Sequence, residues 1–299
     1  MYGEKWIAQN CASLSGHTVA VSGSTGGIGR VLCERLASLG ASLILMDRSP
    51  ERSTALGEAL KEKHPSLSVE YITVDMSEPD SVTEATEALK QTAVDTLILN
   101  AGAYHIPRHK TALGLDNVYQ INFLSPYYIA REMLPLLRER GGRVVAVGSI
   151  ANGYSHIDPA DRDFSTRNRA SLVYGNAKRH LMYSLMELGR EGGVAIAHPG
   201  ITFTGITAHY PKLIFALIKH PMKVIFMKPR TACLSILAGV YGDTGECEWI
   251  GPRVFAVWGL PRRGGLRGCG AEERRAICES AEELYRLMKK RKALASVGE

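Results

Sequence analysis

Tyr174 and Lys178 stand four residues apart in Tyr174-Gly-Asn-Ala-Lys178. On a helix that spacing puts phenol and ammonium on one face. A free tyrosine titrates near pH ~10 and exchanges protons poorly at neutrality. A fixed cation beside it favours the phenolate and makes proton exchange with an alcohol or ketone feasible. The spacing alone is common, and a solvated helix face satisfies it equally well. Its weight comes from the motifs that surround it in order.

These residues need elements to position them. Val21-Ser-Gly-Ser-Thr-Gly-Gly-Ile-Gly29 follows the apolar run Thr18 to Val21 and opens a helical pattern of Ile28, Val31, Leu32, Leu36 and Leu39, closed by Gly40. Strand, glycine turn and helix form the context of a nucleotide site. Gly23 permits the tight turn, and Gly27 and Gly29 let backbone and helix approach a pyrophosphate. The helix start then supplies unpaired N–H groups and a favourable dipole. The next strand, Ser42 to Met46, ends in Asp47-Arg48, roughly 20 residues on, where a carboxylate can bind adenosine ribose hydroxyls. That predicts NAD over NADP, since a 2′-phosphate would meet a like charge. Arg48 complicates the reading, because it could receive the phosphate. Asp75 ends the run Val69 to Val74, Asn100-Ala-Gly102 ends Thr96 to Leu99, and Ser149 ends a strand begun at Arg143. Ligands in doubly wound sheets bind outside the carboxyl ends of strands, so these motifs converge on one edge.

In these residues the chain resembles the short-chain dehydrogenase/reductase family over about residues 17 to 290. The family's glycine motif reads Ser22-Gly-Ser-Thr-Gly-Gly-Ile-Gly29, and its Asn-Asn-Ala-Gly reads Leu99-Asn100-Ala101-Gly102. Its active-site asparagine matches Asn122 and its serine Ser149; the Tyr/Lys pair is Tyr174 and Lys178, and the Pro-Gly turn is His198-Pro199-Gly200. Leu99, Ser22 and Ala177 depart from the common residues without touching the chemistry. The polar insert Asn152 to Ser171 and the pattern Ile250-Gly-Pro-Arg-Val-Phe before a last helix are similar to the retinol-dehydrogenase and hydroxysteroid-dehydrogenase-like branch.

The resemblance implies an α/β fold, a doubly wound parallel sheet of Rossmann type in one domain over residues 1–299. A helical substrate lid falls at about 201–230 and a C-terminal extension at about 250–299. It implies Asn122, Ser149, Tyr174 and Lys178 as the catalytic set. Cofactor contacts fall to Gly23, Ser24, Thr25, Gly27, Ile28, Gly29, Asp47, Arg48, Asp75, Met76, Asn100, Ala101, Gly102, Tyr174, Lys178, Pro199, Gly200, Ile201 and Thr204. Ser149, Tyr174 and Phe203 meet the substrate. The reaction is hydride exchange between NAD, or less readily NADP, and a secondary alcohol or ketone. Tyr174 moves the proton, Ser149 hydrogen-bonds the substrate oxygen, and Lys178 lowers the tyrosine pKa and holds ribose hydroxyls. A homodimer or homotetramer is the expected assembly.

Composition agrees: 299 residues, 45% hydrophobic and 22% charged, suit one large α/β core. The six cysteines show no Cys-x-x-Cys spacing and the first residues no apolar leader, which points to reduced thiols in the cytoplasm. Cys33 reads as a small buried hydrophobe. Ala271 to Arg291 places Ile277, Ala281, Leu284 and Met288 on one face. Its Lys289-Lys-Arg-Lys292 end suits a helix terminus rather than nucleic acid. His105 and His109, with Pro107 between, read as an active-site loop and not a metal pair.

Gly192 through Gly242 contains no acidic residue but has Lys212, Lys219, Lys223, Lys228 and Arg230, and the apolar runs Leu213 to Ile218 and Val224 to Met227. Neither run reaches the ~20 residues that span a bilayer. A substrate lid, a membrane-surface helix pair and a plain packing element all fit. The lid reading, with Phe203, Phe215 and Phe226, favours a bulky lipophilic substrate with an anionic tail, such as a hydroxysteroid or bile acid. A carrier-linked 3-ketoacyl reductase shares the four residues. A non-catalytic dinucleotide sensor or scaffold has no need to keep them.

Overall fold

The central strands are short apolar runs because helices cover both their faces. β1 (Thr18–Ser22), β2 (Ser42–Asp47), β4 (Thr96–Leu99), β5 (Arg143–Val147) and β6 (Val194–Ala197) are buried along almost their whole length. β3 (Val69–Thr73) lies at one edge and is far more exposed. With β7 (Glu248–Val254) and β8 (Trp258–Gly265) they form one sheet in the order β3-β2-β1-β4-β5-β6-β7-β8. All pairings through β7 are parallel, and β8 returns antiparallel. The computed structural model describes residues 2–154, 156–158, 161–202, 227–266 and 268–295.

The helices divide between the two faces. α1 (Tyr2–Asn10), α2 (Gly27–Ser38), α3 (Pro50–Lys63) and α8 (Pro229–Val240) cover one. There Leu32, Cys33, Leu36, Leu56, Ile236 and Leu237 build the core. α4 (Pro79–Lys90), α6 (Ser125–Glu139), α7 (Ala170–Leu188) and α9 (Ala271–Ala295) cover the other. The expected stripe Ile277, Ala281, Leu284 and Met288 of α9 is buried. Ion pairs fasten α9 to its neighbours: Arg291 to Asp80 at 2.6 Å, Lys292 to Glu87 at 2.5 Å, Lys289 to Glu132 at 2.9 Å. The basic run thus meets carboxylates of its own chain. Among the described residues no helix is long and apolar enough to cross a membrane.

A short helix α5 (Asn117–Tyr119) leads into a π-helical turn, Gln120–Leu124, and then α6. Strand order reverses between β1 and β4, which opens a crevice at the carboxyl edge. The fold expected from the motifs is the one observed. Its described part includes β8 and α1, which the motifs did not indicate. Of the lid expected at about 201–230, residues 203–226 lie outside the described residues.

Candidate active site

The glycine turn is shaped by contacts that leave no room for side chains. Gly23 has φ 66°, and a Cβ there would stand 2.9 Å from Ala101 Cα. A Cβ on Gly29 would come 2.2 Å from the Gly23 carbonyl oxygen. Gly26 is the N-cap of α2 and makes no side-chain cap, so the first N–H groups of that helix face the crevice. Ser22 Oγ accepts the N–H groups of Asn100 and Ala101 at 3.0 and 3.1 Å. Asn100 Nδ2 in turn donates to the Ser22 and Gly23 carbonyls, both at 3.0 Å. The first and fourth strand ends are locked together as one rim.

This rim lines a cavity of about 450 Å³. Gly23, Thr25, Gly27, Ile28, Gly29, Asp47, Arg48, Asp75, Met76, Asn100, Ala101 and Gly102 all reach it. So do Tyr104, Ile106, Ile121 and Arg52, which the motifs did not indicate. Tyr104 lies two residues past Gly102 in the same loop, the one cue in the sequence. A side-chain-free helix start and a long crevice at the sheet's switch point fit a dinucleotide. Such a group, when bound, supplies or accepts the hydride; the protein holds and orients it.

Two expected contacts turn out differently. The Asp47 carboxylate is buried and bends back into the glycine turn. Oδ1 accepts from Thr25 N at 3.1 Å and Thr25 Oγ1 at 2.8 Å; Oδ2 accepts from Ser53 Oγ at 3.1 Å and from Ser24 Oγ. Both oxygens are filled, so Asp47 offers nothing to ribose hydroxyls, and the buried Ser24 hydroxyl serves Asp47. As placed here, Asp47 makes no contact that favours NAD over NADP. Arg48 is 79% exposed beside the same cavity and lies 3.7 Å from Asp75. Arg52 bonds the Thr25 carbonyl at 3.3 Å.

The four residues expected to carry the chemistry gather behind Gly102 and Tyr104, which line the cavity, and are not themselves among its lining residues. Ser149 lies two residues past β5 and caps a 3-10 turn, accepting from Ala151 N at 3.2 Å. Its hydroxyl lies beside the Tyr174 phenol, where it favours the ionised form. Lys178, one turn along α7, is buried; Nζ donates to the Val147 carbonyl at 2.9 Å and stands 5.8 Å from the Tyr174 ring centroid. Asn122 sits in the π-helical turn, fully buried, and donates to the Ala103 and Val118 carbonyls at 2.7 and 2.8 Å. A Cβ on Gly102 would lie 2.8 Å from Asn122 Oδ1 and 3.7 Å from Lys178 Nζ, so that glycine keeps asparagine and lysine close. The Tyr104 ring meets Tyr174 edge-on at 5.3 Å.

Burial governs both titrating groups. It pushes the Tyr174 phenol up to about 12, with the Ser149 hydroxyl pulling the other way and Tyr104 and Tyr154 adding to the rise. It pushes the Lys178 ammonium down to about 8. The sequence predicts a tyrosine lowered by lysine; here burial outweighs the one lowering influence, the Ser149 hydroxyl. A protonated phenol beside a serine hydroxyl can donate to a carbonyl oxygen and stabilise an oxyanion.

Pro199, Gly200 and Ile201 follow β6 and pack beneath the β7–β8 hairpin, apart from the residues that line the cavity. Gly200 has φ 80°, and Ile201 accepts from Met227 N at 2.8 Å. Phe203 and Thr204 lie outside the described residues, as do Phe215 and Phe226. His105 and His109 lie in the loop after β4. Among the described residues no three potential metal ligands come together.

A family model described as short chain dehydrogenase matches residues 17–158. A provisionally named daunorubicin C-13 ketoreductase, DnrU, of Streptomyces sp. (strain C5) is 32% identical over 202 residues, covering 64% of this chain and 68% of that one. The chain belongs to the short-chain dehydrogenase family. Within it, this dehydrogenase is related to the retinol dehydrogenase branch: retinol dehydrogenase 14 of Mus musculus is 26% identical over 264 residues, 79% of each chain. The dehydrogenase fold also matches the crystal structure of an uncharacterized protein from Mycobacterium paratuberculosis, with a TM-score of 0.70 and 24% identity over 93% of this chain and 97% of that one.

Proposed function

We propose that this dehydrogenase reduces the ketone of a bulky lipophilic molecule to a secondary alcohol, reversibly, with NADP(H). The observation that carries the reading is the Ser149–Tyr174 pair with buried Lys178 behind it, joined to the cavity through Tyr104, which lines the cavity and meets the Tyr174 ring at 5.3 Å. Tyr174 gives its proton to the carbonyl oxygen, Ser149 holds that oxygen, and Lys178 and Asn122 fix the backbone around them. The phenol is protonated at neutral pH, which suits the reductive direction. Tyr104, Ile106 and Ile121 make this end of the cavity apolar, which supports a lipophilic substrate.

The choice of NADP rests on orientation. Asp47 is consumed within its own turn, while Arg48 and Arg52 flank the cavity and can receive a 2′-phosphate. Steady-state kinetics with both cofactors tests it: NADPH is preferred, and an enzyme favouring NADH by tenfold refutes the choice. The lysine excess from Gly192 to Gly242 supports an anionic tail, so a hydroxysteroid or bile acid is the favoured class. A bile-acid ketone compared with its uncharged amide, at low and high salt, tests the class. A preference for the anion that fades with salt supports it, and equal rates remove the anionic tail from the account.

A further inference from the structure

The hairpin of β7 and β8 turns at the carboxyl edge of the sheet, since β7 runs parallel to β6. Its tip packs on the Pro199-Gly200 turn: a Cβ on Gly200 would stand 2.7 Å from the Val257 carbonyl oxygen and 2.9 Å from Pro252. Thr202 and Met227 bridge beside it. The tip therefore borders the same edge as the Ser149–Tyr174 pair.

Its sequence is unlike that of a turn built for folding alone. Tight hairpin turns with positive φ favour Asn-Gly or Asp-Gly. Here Phe255 and Ala256 hold φ of 50° and 56°. The strained phenylalanine is not buried in return. Phe255 is 88% exposed, and Val254 and Trp258 are each 39% exposed. Arg253 and Arg262 are exposed on the two strands and pair with no carboxylate among the described residues. Between Glu248 and Glu272 the sequence has no acidic residue and four arginines.

We propose that this tip docks the enzyme on an anionic phospholipid surface. Phe255, with Val254 and Trp258, enters the boundary between headgroups and acyl chains, and Arg253 and Arg262 meet headgroup phosphates. A second copy is the poorer occupant, because two such tips would set arginines against arginines. Docking at this edge presents the cavity to lipophilic molecules carried in the bilayer. That last consequence rests on the proposed function, but the docking itself does not.

The experiment is co-sedimentation of the full chain with vesicles of phosphatidylcholine, alone and mixed with phosphatidylserine, at low and moderate salt, without substrate. The protein binds the mixed vesicles, and added salt weakens it. Phe255→Asn binds about ten- to a hundredfold more weakly, the loss expected for one inserted aromatic side chain. Asparagine tolerates positive φ, so the variant keeps its Tm and its lipid-free turnover of a water-soluble ketone. Arg253→Gln with Arg262→Gln removes the preference for phosphatidylserine. The proposal is overturned if the protein ignores vesicles at low salt, or if Phe255→Asn binds them as well as the native chain does. It is also overturned if sedimentation velocity shows a dimer that Phe255→Asn dissociates. A native chain that binds vesicles yet reduces no ketone supports the docking and sinks the catalytic reading alone.

Discussion

Lys178 is the residue on which protonation state matters most. Its ammonium is buried with one carbonyl partner, and burial brings its ordinary value of 10.5 down to about 8. The charged form is therefore lost as pH rises through about 8, well before an exposed lysine would lose it. We predict that kcat/KM for ketone reduction holds through neutrality and falls above that point. A profile flat to pH 10 would remove Lys178 from the chemistry. Asp47 gives a second prediction. The carboxylate holds the glycine turn by three hydrogen bonds and ties it to α3 by a fourth, from Ser53. Asp47→Ala should weaken NADPH and NADH together, whereas Arg48→Ala should weaken NADPH alone, by about ten- to a hundredfold for a charge-assisted bond lost. Isothermal titration with both cofactors separates the two. That the motifs meet at one edge of the sheet was legible in the sequence, but the direction of Asp47 was not. A carboxylate at a strand end can serve a ribose or its own turn. The donors that decide it, Ser24, Thr25 and Ser53, come from two separate segments.

At the scale of elements, the central strands and α2 are readable because burial on both faces writes them as apolar runs between turn residues. β8 is not. Its run Trp258–Gly265 contains Gly259, Pro261, Gly264 and Gly265, and it survives by pairing with β7 at the sheet's edge. The π-helical turn leaves no trace in hydropathy either, yet it sets Asn122 against Ala103 and Val118. α7 and the end of β6 each bury a histidine. His180 packs against Tyr119 and Phe123, and His198 stacks on Trp249 at 4.9 Å. Burial lowers both from 6.5 to about 4. The unfolded chain takes up these protons below pH 6.5 and the native chain does not until about 4. Stability is therefore complete above that window and lost as pH falls through it, by on the order of a few kcal/mol per histidine. Urea midpoints at pH 7 and pH 5 should differ, and replacing both histidines by Gln should flatten the difference. An unchanged midpoint would contradict the burial argument.

Across the whole molecule, the topology does what no single residue can. The order β3-β2-β1-β4-β5-β6-β7-β8 opens the crevice and brings glycine turn, Asn100 loop, Ser149 and the β7–β8 tip to one edge. α9 closes the opposite layer and turns the chain's most basic run toward Asp80, Glu87 and Glu132. Exposed cations outside that run include Arg48 and Arg52 by the cavity and Arg253 and Arg262 on the hairpin. The central claim is that this edge transfers a hydride and a proton to a ketone, with Tyr174 as the proton donor. The most direct measurement is NADPH consumption with a panel of bulky ketones, run on the native chain and on Tyr174→Phe, with NADPH affinity measured beside it. The account predicts turnover by the native chain, unchanged NADPH affinity in the variant, and a fall in kcat of about 10²–10⁴-fold. Near-native turnover in Tyr174→Phe would contradict it.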